Sequence, residues 1–201
     1  MVLCVSNICF GQSGNFPDGV YLNKEQLKTH TPAYNANLEI LKRTSGDIFM
    51  IGGNDYKIKS NIDSINKSYV TKKMVAYVRN DSVYLNCIRY GLQTGYALCI
   101  STAGNYLPFK ACMSFERTKN TAPYGGIIVS GIVSGIASGK AAKKRALYIL
   151  SLKTGNADEL TEPTMLELLK DKPELLLKYN ENNDRGSESR LLEFINLLNQ
   201  N

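Results

Sequence analysis

Three short motifs in this chain contain the residue types of an enzyme with a serine nucleophile. Ser64 and Lys67 have the Ser-x-x-Lys spacing, in which the lysine activates the serine hydroxyl. Tyr84 and Asn86 fit Tyr-x-Asn, and Lys153-Thr154-Gly155 is a triplet that can help to bind a substrate from a strand. Because short motifs recur by chance, the argument depends on their structural context.

That context is missing from the sequence. Penicillin-recognising enzymes, which use these three motifs in this order, have a larger fold than 201 residues can build. Ser64 lies in a polar stretch, whereas this chemistry needs a serine that opens an apolar helix. Thr154-Gly155 is also typical of a strand end followed by a turn. We therefore predict no acyl-enzyme chemistry.

The histidine and cysteine content indicates no other catalytic or metal site. The chain has one histidine, His30, which lies between two threonines just before Pro32 and is typical of an exposed helix end. Cys87, Cys99 and Cys112 match no zinc spacing. We expect these three cysteines to be buried as small apolar side chains, with one disulfide and one free thiol as the alternative in an exported protein. The sequence thus predicts no catalytic residue, no cofactor and no metal ligand.

An uncharged segment rich in glycine and serine is the most distinctive feature of the sequence. It covers residues 122–139, named here the Gly-rich segment, and a basic cluster at 140–145 follows it. Gly131, Gly135 and Gly139 recur every fourth residue, so a helix would carry a groove of small side chains on one face. We assign these three glycines to helix packing. Such a helix has no polar face, so it needs protein or lipid around it.

Two functions are consistent with the Gly-rich segment. The first is a non-catalytic binding or structural module in which the segment packs closely against a sheet. The second is membrane association or self-association through the segment, whose helix would span about 27 Å of a ~30 Å hydrocarbon core. The basic cluster would then mark the cytoplasmic end. The expected partner is another envelope protein or a membrane surface.

Composition and the N-terminus give weaker indications. The hydrophobic fraction of 43% is typical of a folded protein. The net charge is +6, but the lysines are scattered, so nucleic acid is not favoured as a partner. Residues 1–11 are apolar and uncharged, as in the downstream half of a signal peptide, although a basic start is missing. An ordinary first strand is the alternative.

The remaining pattern predicts one α+β domain over 12–201, with a mainly antiparallel sheet (a sandwich or an open barrel), a Gly-rich helix and C-terminal helices. Its predicted parts are a β-rich region at 18–117, the Gly-rich segment with its basic cluster at 122–145, a buried strand at 146–155 and a helical region at 161–201.

Within the β-rich region, several elements have clear signals. Residues 23–30 read as a helix with an Asn cap, and 37–44 read as a strand. Residues 46–53 and 55–62 read as two strands around a Gly-Gly-Asn-Asp turn. The clearest hairpin turns at Asn80-Asp81, where both residue types tolerate positive φ. A second strand pair is expected to flank Ala103-Gly104-Asn105.

Four stretches in this order resemble a family of uncharacterised exported proteins from Bacteroidetes-type bacteria. They are GVYLNKEQLKTHTP from Gly19, VAYVRNDSVYLNC from Val75, LYILSLKTG from Leu147 and LELLKDKPELLLKY from Leu166. The resemblance covers roughly residues 18–180. It implies an envelope or periplasmic location, and it assigns neither a function nor functional residues.

Overall fold

The computed structural model describes residues 16–112, 144–181 and 183–200. Within this part, the chain has an α+β fold with a six-stranded antiparallel half-barrel, sheet A, and a three-stranded antiparallel sheet B. Helices follow at the C-terminus. The predicted fold class is therefore confirmed, while the Gly-rich helix and residues 1–11 of the prediction lie outside the described residues.

Sheet A has the strand order β1-β4-β5-β6-β3-β2. Its strands are β1 Gly19–Tyr21, β2 Glu39–Lys42, β3 Tyr56–Lys59, β4 Ala76–Arg79, β5 Ser82–Asn86 and β6 Tyr96–Leu98. Sheet B has the order β7-β8-β9, with β7 Tyr106–Cys112, β8 Arg145–Ser151 and β9 Ala157–Glu159.

Two short helices lie among the strands of sheet A, and three longer ones follow sheet B. They are α1 Lys24–Lys28, α2 Ser45–Ile51, α3 Glu162–Leu169, α4 Pro173–Asn180 and α5 Glu188–Gln200. The last three begin at residues typical of helix starts in the predicted helical region: the Thr161 hydroxyl caps α3, Pro173 opens α4, and Ser187 precedes α5. No helix in the described ranges is both long and apolar enough to cross a membrane.

Three buried clusters hold these layers together, because the side chains of each strand alternate between two faces. On β8, Tyr148 and Leu150 pack between the two sheets, whereas Leu147 and Ile149 pack against the C-terminal helices. On β4, Ala76 and Val78 join the layer between the sheets. Tyr77 points to the opposite face of sheet A and joins a third cluster.

The predicted hairpin is confirmed, and its turn has the expected conformation. β4 and β5 pair from Ala76↔Leu85 to Arg79↔Ser82. Asn80 and Asp81 have φ of 48° and 57°, as a two-residue turn between right-twisted strands requires. The tip of sheet A is therefore fixed by local sequence.

The prediction of a strand over residues 46–53 is wrong, because this stretch forms α2. A capping box begins the helix: the Asp47 amide donates to the Thr44 hydroxyl at 3.1 Å, and the Thr44 amide donates to the Asp47 carboxylate at 3.0 Å. Gly52, with φ of 71°, ends it. The apolar run at 48–51 concealed this cap, since a short apolar run fits a strand as well as a helix.

The second predicted strand pair is only partly correct. The strands around Gly104 are β6 and β7, and they belong to different sheets. A single bridge, Cys99↔Phe109, joins the two where the chain crosses from sheet A to sheet B. Residues 37–44 and 55–62 do contain the predicted strands β2 and β3, and α1 lies within the predicted 23–30 helix.

Candidate functional site

A polar groove lies on the face of sheet A that is turned away from sheet B. Its larger cavity, of about 500 Å³, is lined by Asn37, Leu38, Glu39, Ile40, Asn61, Arg79, Asn80, Ser82 and Tyr84. A second cavity, of about 430 Å³, is lined by Tyr34, Asn35, Ala36, Ile62, Ser64, Ile65 and Tyr69. The two cavities adjoin in sequence at Ala36-Asn37 and at Asn61-Ile62, and together they are named here the groove.

One wall of the groove is residues 33–38, which lie against sheet A and are named here the strap. β1 holds its start, since the Val20 amide donates to the Tyr34 carbonyl at 2.9 Å and the Ala33 amide donates to the Val20 carbonyl at 2.8 Å. Tyr77 holds its end, since its hydroxyl donates to the Ala36 carbonyl at 3.0 Å and accepts from the Leu38 amide at 3.1 Å. The strap backbone is therefore fixed without any ligand.

The opposite wall is the tip of the β4–β5 hairpin. The Arg79 guanidinium donates to the side-chain oxygen of Asn37, so it links the hairpin to the strap. The Asn80 amide donates to the Asp18 carboxylate at 2.9 Å, which holds the turn against the start of β1. The groove thus lies between the strap and the hairpin tip, each held by hydrogen bonds to β4 or to the chain at or just before β1, and the side chains of Arg79 and Asn37 link the two.

Tyrosines form the floor of the groove. The Tyr84 ring meets the Tyr56 ring edge to face, with the centroids 5.1 Å apart. Burial, together with the neighbouring Tyr56, raises the pKa of Tyr84. In the second cavity, burial and a hydrogen bond with Tyr69 raise the pKa of Tyr34. With their pKa values raised, Tyr84 and Tyr34 are neutral at pH 7 and offer uncharged hydroxyls.

Three polar side chains of the groove have unused hydrogen-bonding capacity. Within the described ranges, the Glu39 carboxylate and the side-chain amides of Asn61 and Asn80 form no hydrogen bond or ion pair. An amide offers one acceptor and two donor hydrogens, and a carboxylate offers acceptors. β2 is also an edge strand, which pairs with β3 alone in the described part of sheet A.

A second polar cluster, named here the clamp, joins sheet A to sheet B. Arg145 donates to the Asp55 carboxylate at 2.6 and 3.1 Å and to the Cys112 sulfur at 2.7 Å. Asn54 is 0% exposed; its side-chain oxygen accepts from the Cys112 amide at 2.7 Å and its nitrogen donates to the Gln93 carbonyl at 2.8 Å. The polar groups of the clamp thus satisfy one another.

The clamp lies where residues 113–144 leave and rejoin sheet B, since Cys112 and Arg145 are register partners on β7 and β8. Burial raises the pKa of Cys112, although Arg145 opposes this change. Cys112 is fully buried and its thiol donates to the Gly53 carbonyl at 2.9 Å. A buried, protonated thiol is a poor nucleophile, so the clamp is a structural link.

The structure separates the residues of the three motifs. Tyr84 and Ser64 line different cavities of the groove. Asn86 is buried, and its side-chain nitrogen donates to the Val70, Thr71 and Met74 carbonyls. Lys153-Thr154-Gly155 forms the turn between β8 and β9, as the strand-end interpretation predicts.

The histidine and cysteine expectations can also be compared with the structure. His30 follows α1 and stacks on Phe16 with the ring centroids 4.0 Å apart. Cys87, Cys99 and Cys112 are buried as expected and form no disulfide within the described ranges, but the Cys112 thiol also takes part in the polar clamp. Across the described ranges, no group of three His, Cys, Asp or Glu side chains could hold a metal ion. The predicted packing glycines Gly131, Gly135 and Gly139 lie outside the described residues.

Sequence reasoning missed the groove because its residues come from three distant stretches. Asn37, Asn61 and Asn80 are ordinary turn and loop residues in the sequence, and only the pairing of β2 with β3 and the position of the strap bring them together. The one usable signal was the Asn80-Asp81 turn, which placed a polar tip at the end of two buried strands.

The fold and the groove define a small α+β protein with a half-barrel sheet and an open polar site on one of its faces. The chain belongs to a family of unknown function, DUF6563, whose sequence profile matches residues 19–201. No curated protein and no solved structure matches the chain.

Proposed function

We propose that this chain is a non-catalytic binding module whose ligand occupies the groove between the strap and the β4–β5 hairpin. The observation that supports this proposal is the combination of a fixed groove backbone with polar side chains that have no partner among the residues that the structure describes. Preformed cavities of ~300–1,000 Å³ with a few convergent polar groups are typical of small-ligand sites. Pre-organisation also lowers the entropic cost of binding.

Binding can be tested without knowing the ligand. A fragment library is titrated into the ¹⁵N-labelled full chain, in separate pools of uncharged polyols, short peptides and anions, and backbone amide shifts are followed. We expect at least one pool to shift the amides of residues 34–40, 61–65 and 79–84 while those of β8 stay unchanged. If no pool shifts the groove, or if all pools shift β8 equally, the groove is not a binding site.

We further propose that the protein is exported to the cell envelope or periplasm, as for the exported proteins of Bacteroidetes-type bacteria that it resembles. The support is the apolar character of residues 1–11, followed by the polar residues from Gln12. Expression of the gene followed by osmotic shock and immunodetection tests this. Recovery with the cytosolic markers, at the mass of the unprocessed chain, would contradict export.

A second candidate function is membrane association through the Gly-rich segment. Two observations favour it: residues 113–144 leave and rejoin the fold at one place, the clamp, and an exposed apolar pair lies beside it in sequence. This pair is Met50 and Ile51, which are 79% and 78% exposed. Isolated exposed apolar residues are common, but two adjacent ones form a small apolar surface that is suited to an apolar partner.

Alkaline carbonate extraction of membranes distinguishes the two candidates. Release of the chain into the supernatant supports the binding module alone. Retention in the pellet supports membrane association, provided that a variant without residues 122–139 is released. Retention of that variant as well would attribute the anchoring to another part of the chain, and membrane association through this segment would be rejected.

A further inference from the structure

The chemistry of the groove points to its ligand class: we infer that the groove binds an uncharged, linear glycan. This inference rests on the proposed binding function and makes it more specific. Around the larger cavity lie three asparagine amides, a serine hydroxyl and a tyrosine, on side chains from four separate parts of sheet A and its loops. Carbohydrate is the class of ligand that these groups match best.

Hydrogen bonding is the first argument. Each sugar hydroxyl both donates and accepts a hydrogen bond, and an asparagine side chain offers a carbonyl acceptor and two N–H donors within one plane. Asn61, in the loop after β3, and Asn80, at the tip of the hairpin, are exposed and have unoccupied side-chain amides within the described ranges. Glu39, also unpaired there, can accept from a further hydroxyl.

Aromatic surface is the second argument. The Tyr84 ring is half-buried at the larger cavity, and Tyr34 and Tyr69 are half-buried at the second. The face of an aromatic ring carries partial negative charge and attracts partly positive C–H groups. The C–H faces of a pyranose ring are such groups, so a sugar chain can place its hydroxyls on the asparagines and its C–H faces on the tyrosines.

Charge argues against an anionic ligand. The larger cavity has one guanidinium, Arg79, and one carboxylate, Glu39, so their charges oppose each other. Arg79 already donates to the Asn37 side chain. Binding of a phosphate or a polyanion usually needs several free cations or aligned backbone amides. A neutral ligand therefore fits this cavity better.

The shape of β2 argues against an extended peptide. A peptide that binds by strand addition needs a long, unprotected edge. β2 has four residues and carries charged Glu39 and Lys42 at its two ends. Short edges with charged residues are the features that prevent strand addition. The two cavities, of about 500 and 430 Å³, are instead each large enough for a sugar unit, and their lining residues are neighbours in the chain at Ala36-Asn37 and Asn61-Ile62.

The test is a titration of the ¹⁵N-labelled full chain with defined probes. The probes are cellohexaose, maltohexaose, chitohexaose, an acidic hexagalacturonate and an uncharged hexapeptide of serine and threonine. We expect at least one neutral hexaose to shift the amides of residues 37–40, 61 and 79–84. Asn61→Ala is expected to weaken that binding about tenfold, the loss of one or two hydrogen bonds.

A matched control separates a groove effect from a general one. Asn183 is an exposed asparagine in the turn before α5, far from the groove in the sequence. Asn183→Ala should bind the hexaose as the unaltered chain does, and both variants should keep the wild-type melting temperature. Equal loss of affinity in both variants would overturn the assignment of the glycan to the groove.

The other outcomes separate a failure of the glycan inference from a failure of the proposed binding function. If only the hexapeptide or the hexagalacturonate shifts the groove, the neutral glycan is wrong and the binding module stands. If neither these probes nor the fragment pools shift the groove, both proposals are wrong.

Discussion

The groove and the seam between the sheets use the same kinds of residues in opposite ways. In the seam, which we define as the buried layer between sheets A and B together with the clamp, Asn54 is 0% exposed and bonded on both sides of its amide. In the groove, Asn61 and Asn80 are exposed and their amides have no partner in the described ranges. The seam therefore uses its polar groups for structure, whereas those of the groove remain able to bind a ligand.

The titratable groups of the seam and the groove differ in how deeply they are buried. Burial raises the pKa of Cys87 and Cys99 in the seam well above the usual range for a thiol. The tyrosines of the groove are only half-buried. A change in the seam should therefore alter stability, and a change in the groove should alter binding. Four experiments test this difference between the seam and the groove.

The largest effect is expected from removing one amide of the seam. Asn54→Ala removes the hydrogen bonds that the Cys112 amide donates and the Gln93 carbonyl accepts, and the loss of one such bond at a buried group costs about 1–3 kcal/mol. We expect the free energy of unfolding to fall by about 3 kcal/mol and the melting temperature by about 6–12 °C in calorimetry. The matched variant Asn61→Ala should change the free energy by less than about 0.5 kcal/mol. Similar losses in both variants would remove the distinction between the regions.

The next effect is a loss of stability at alkaline pH. A thiol whose pKa is raised in the folded state stays protonated there while the unfolded chain ionises, so stability is fully present below the unfolded pKa and falls as pH rises through it. Above about pH 9, each of Cys87 and Cys99 should lower the free energy of unfolding by about 1.4 kcal/mol per pH unit.

This slope is measured by urea unfolding between pH 7 and 10. Cys99→Ala costs stability at every pH, but it should reduce the alkaline slope by about a third to a half, since the pKa of Cys112 is raised as well. Tyrosine ionisation begins nearer pH 10 and can be followed separately by its absorbance. A flat profile up to pH 10 would show that the thiols of the seam are accessible to water in the folded state.

A smaller loss of stability is expected from a change at Tyr77, whose hydroxyl is hydrogen-bonded to the strap. Tyr77→Phe removes the hydroxyl that holds the strap, and it leaves the Leu38 amide without its partner. We expect a loss of about 1–2 kcal/mol in urea unfolding, together with weaker binding of any groove ligand. Tyr106→Phe, the same change at a half-buried tyrosine of sheet B, should cost less than about 0.5 kcal/mol. If both variants bind and unfold alike, the hydroxyl does not hold the strap.

The smallest effect is expected from shortening the connection between β7 and β8. Replacing residues 113–144 by Asn-Gly joins the register partners Cys112 and Arg145 through a two-residue turn. All three buried clusters contain many residues from outside this connection, and loop length has a weak effect on stability. We therefore expect the free energy of unfolding to change by less than about 1 kcal/mol. A large loss would instead support the hypothesis that the Gly-rich segment packs against a sheet.

Elements with strong local signals could be predicted from the sequence. Thr161 and Pro163 mark the start of α3, the Asn80-Asp81 turn marks the hairpin, and the alternation along β4 and β5 assigns their two faces correctly. α2 was mistaken for a strand, since an apolar run of four residues fits both structures and the capping box was overlooked.

The candidate site could not be predicted in the same way. Its residues are up to 50 positions apart, from Tyr34 to Tyr84, and its two motif residues, Ser64 and Tyr84, come from different motifs and line different cavities. The residues of the three short motifs are dispersed in the structure. Ser64 lies in a loop at the groove, Asn86 is the buried end of β5, and Lys153 lies in the turn between β8 and β9.

Three properties of this protein follow from local sequence: the α+β class, the helical C-terminus and the burial of Cys87, Cys99 and Cys112. They do so because caps, turns and side-chain periodicity act over a few residues. Only the tertiary structure decided the order of the strands, the division into two sheets, and which asparagines are buried or open to a ligand. These properties depend on contacts between distant stretches, and local sequence carries no record of which partner each polar group will meet.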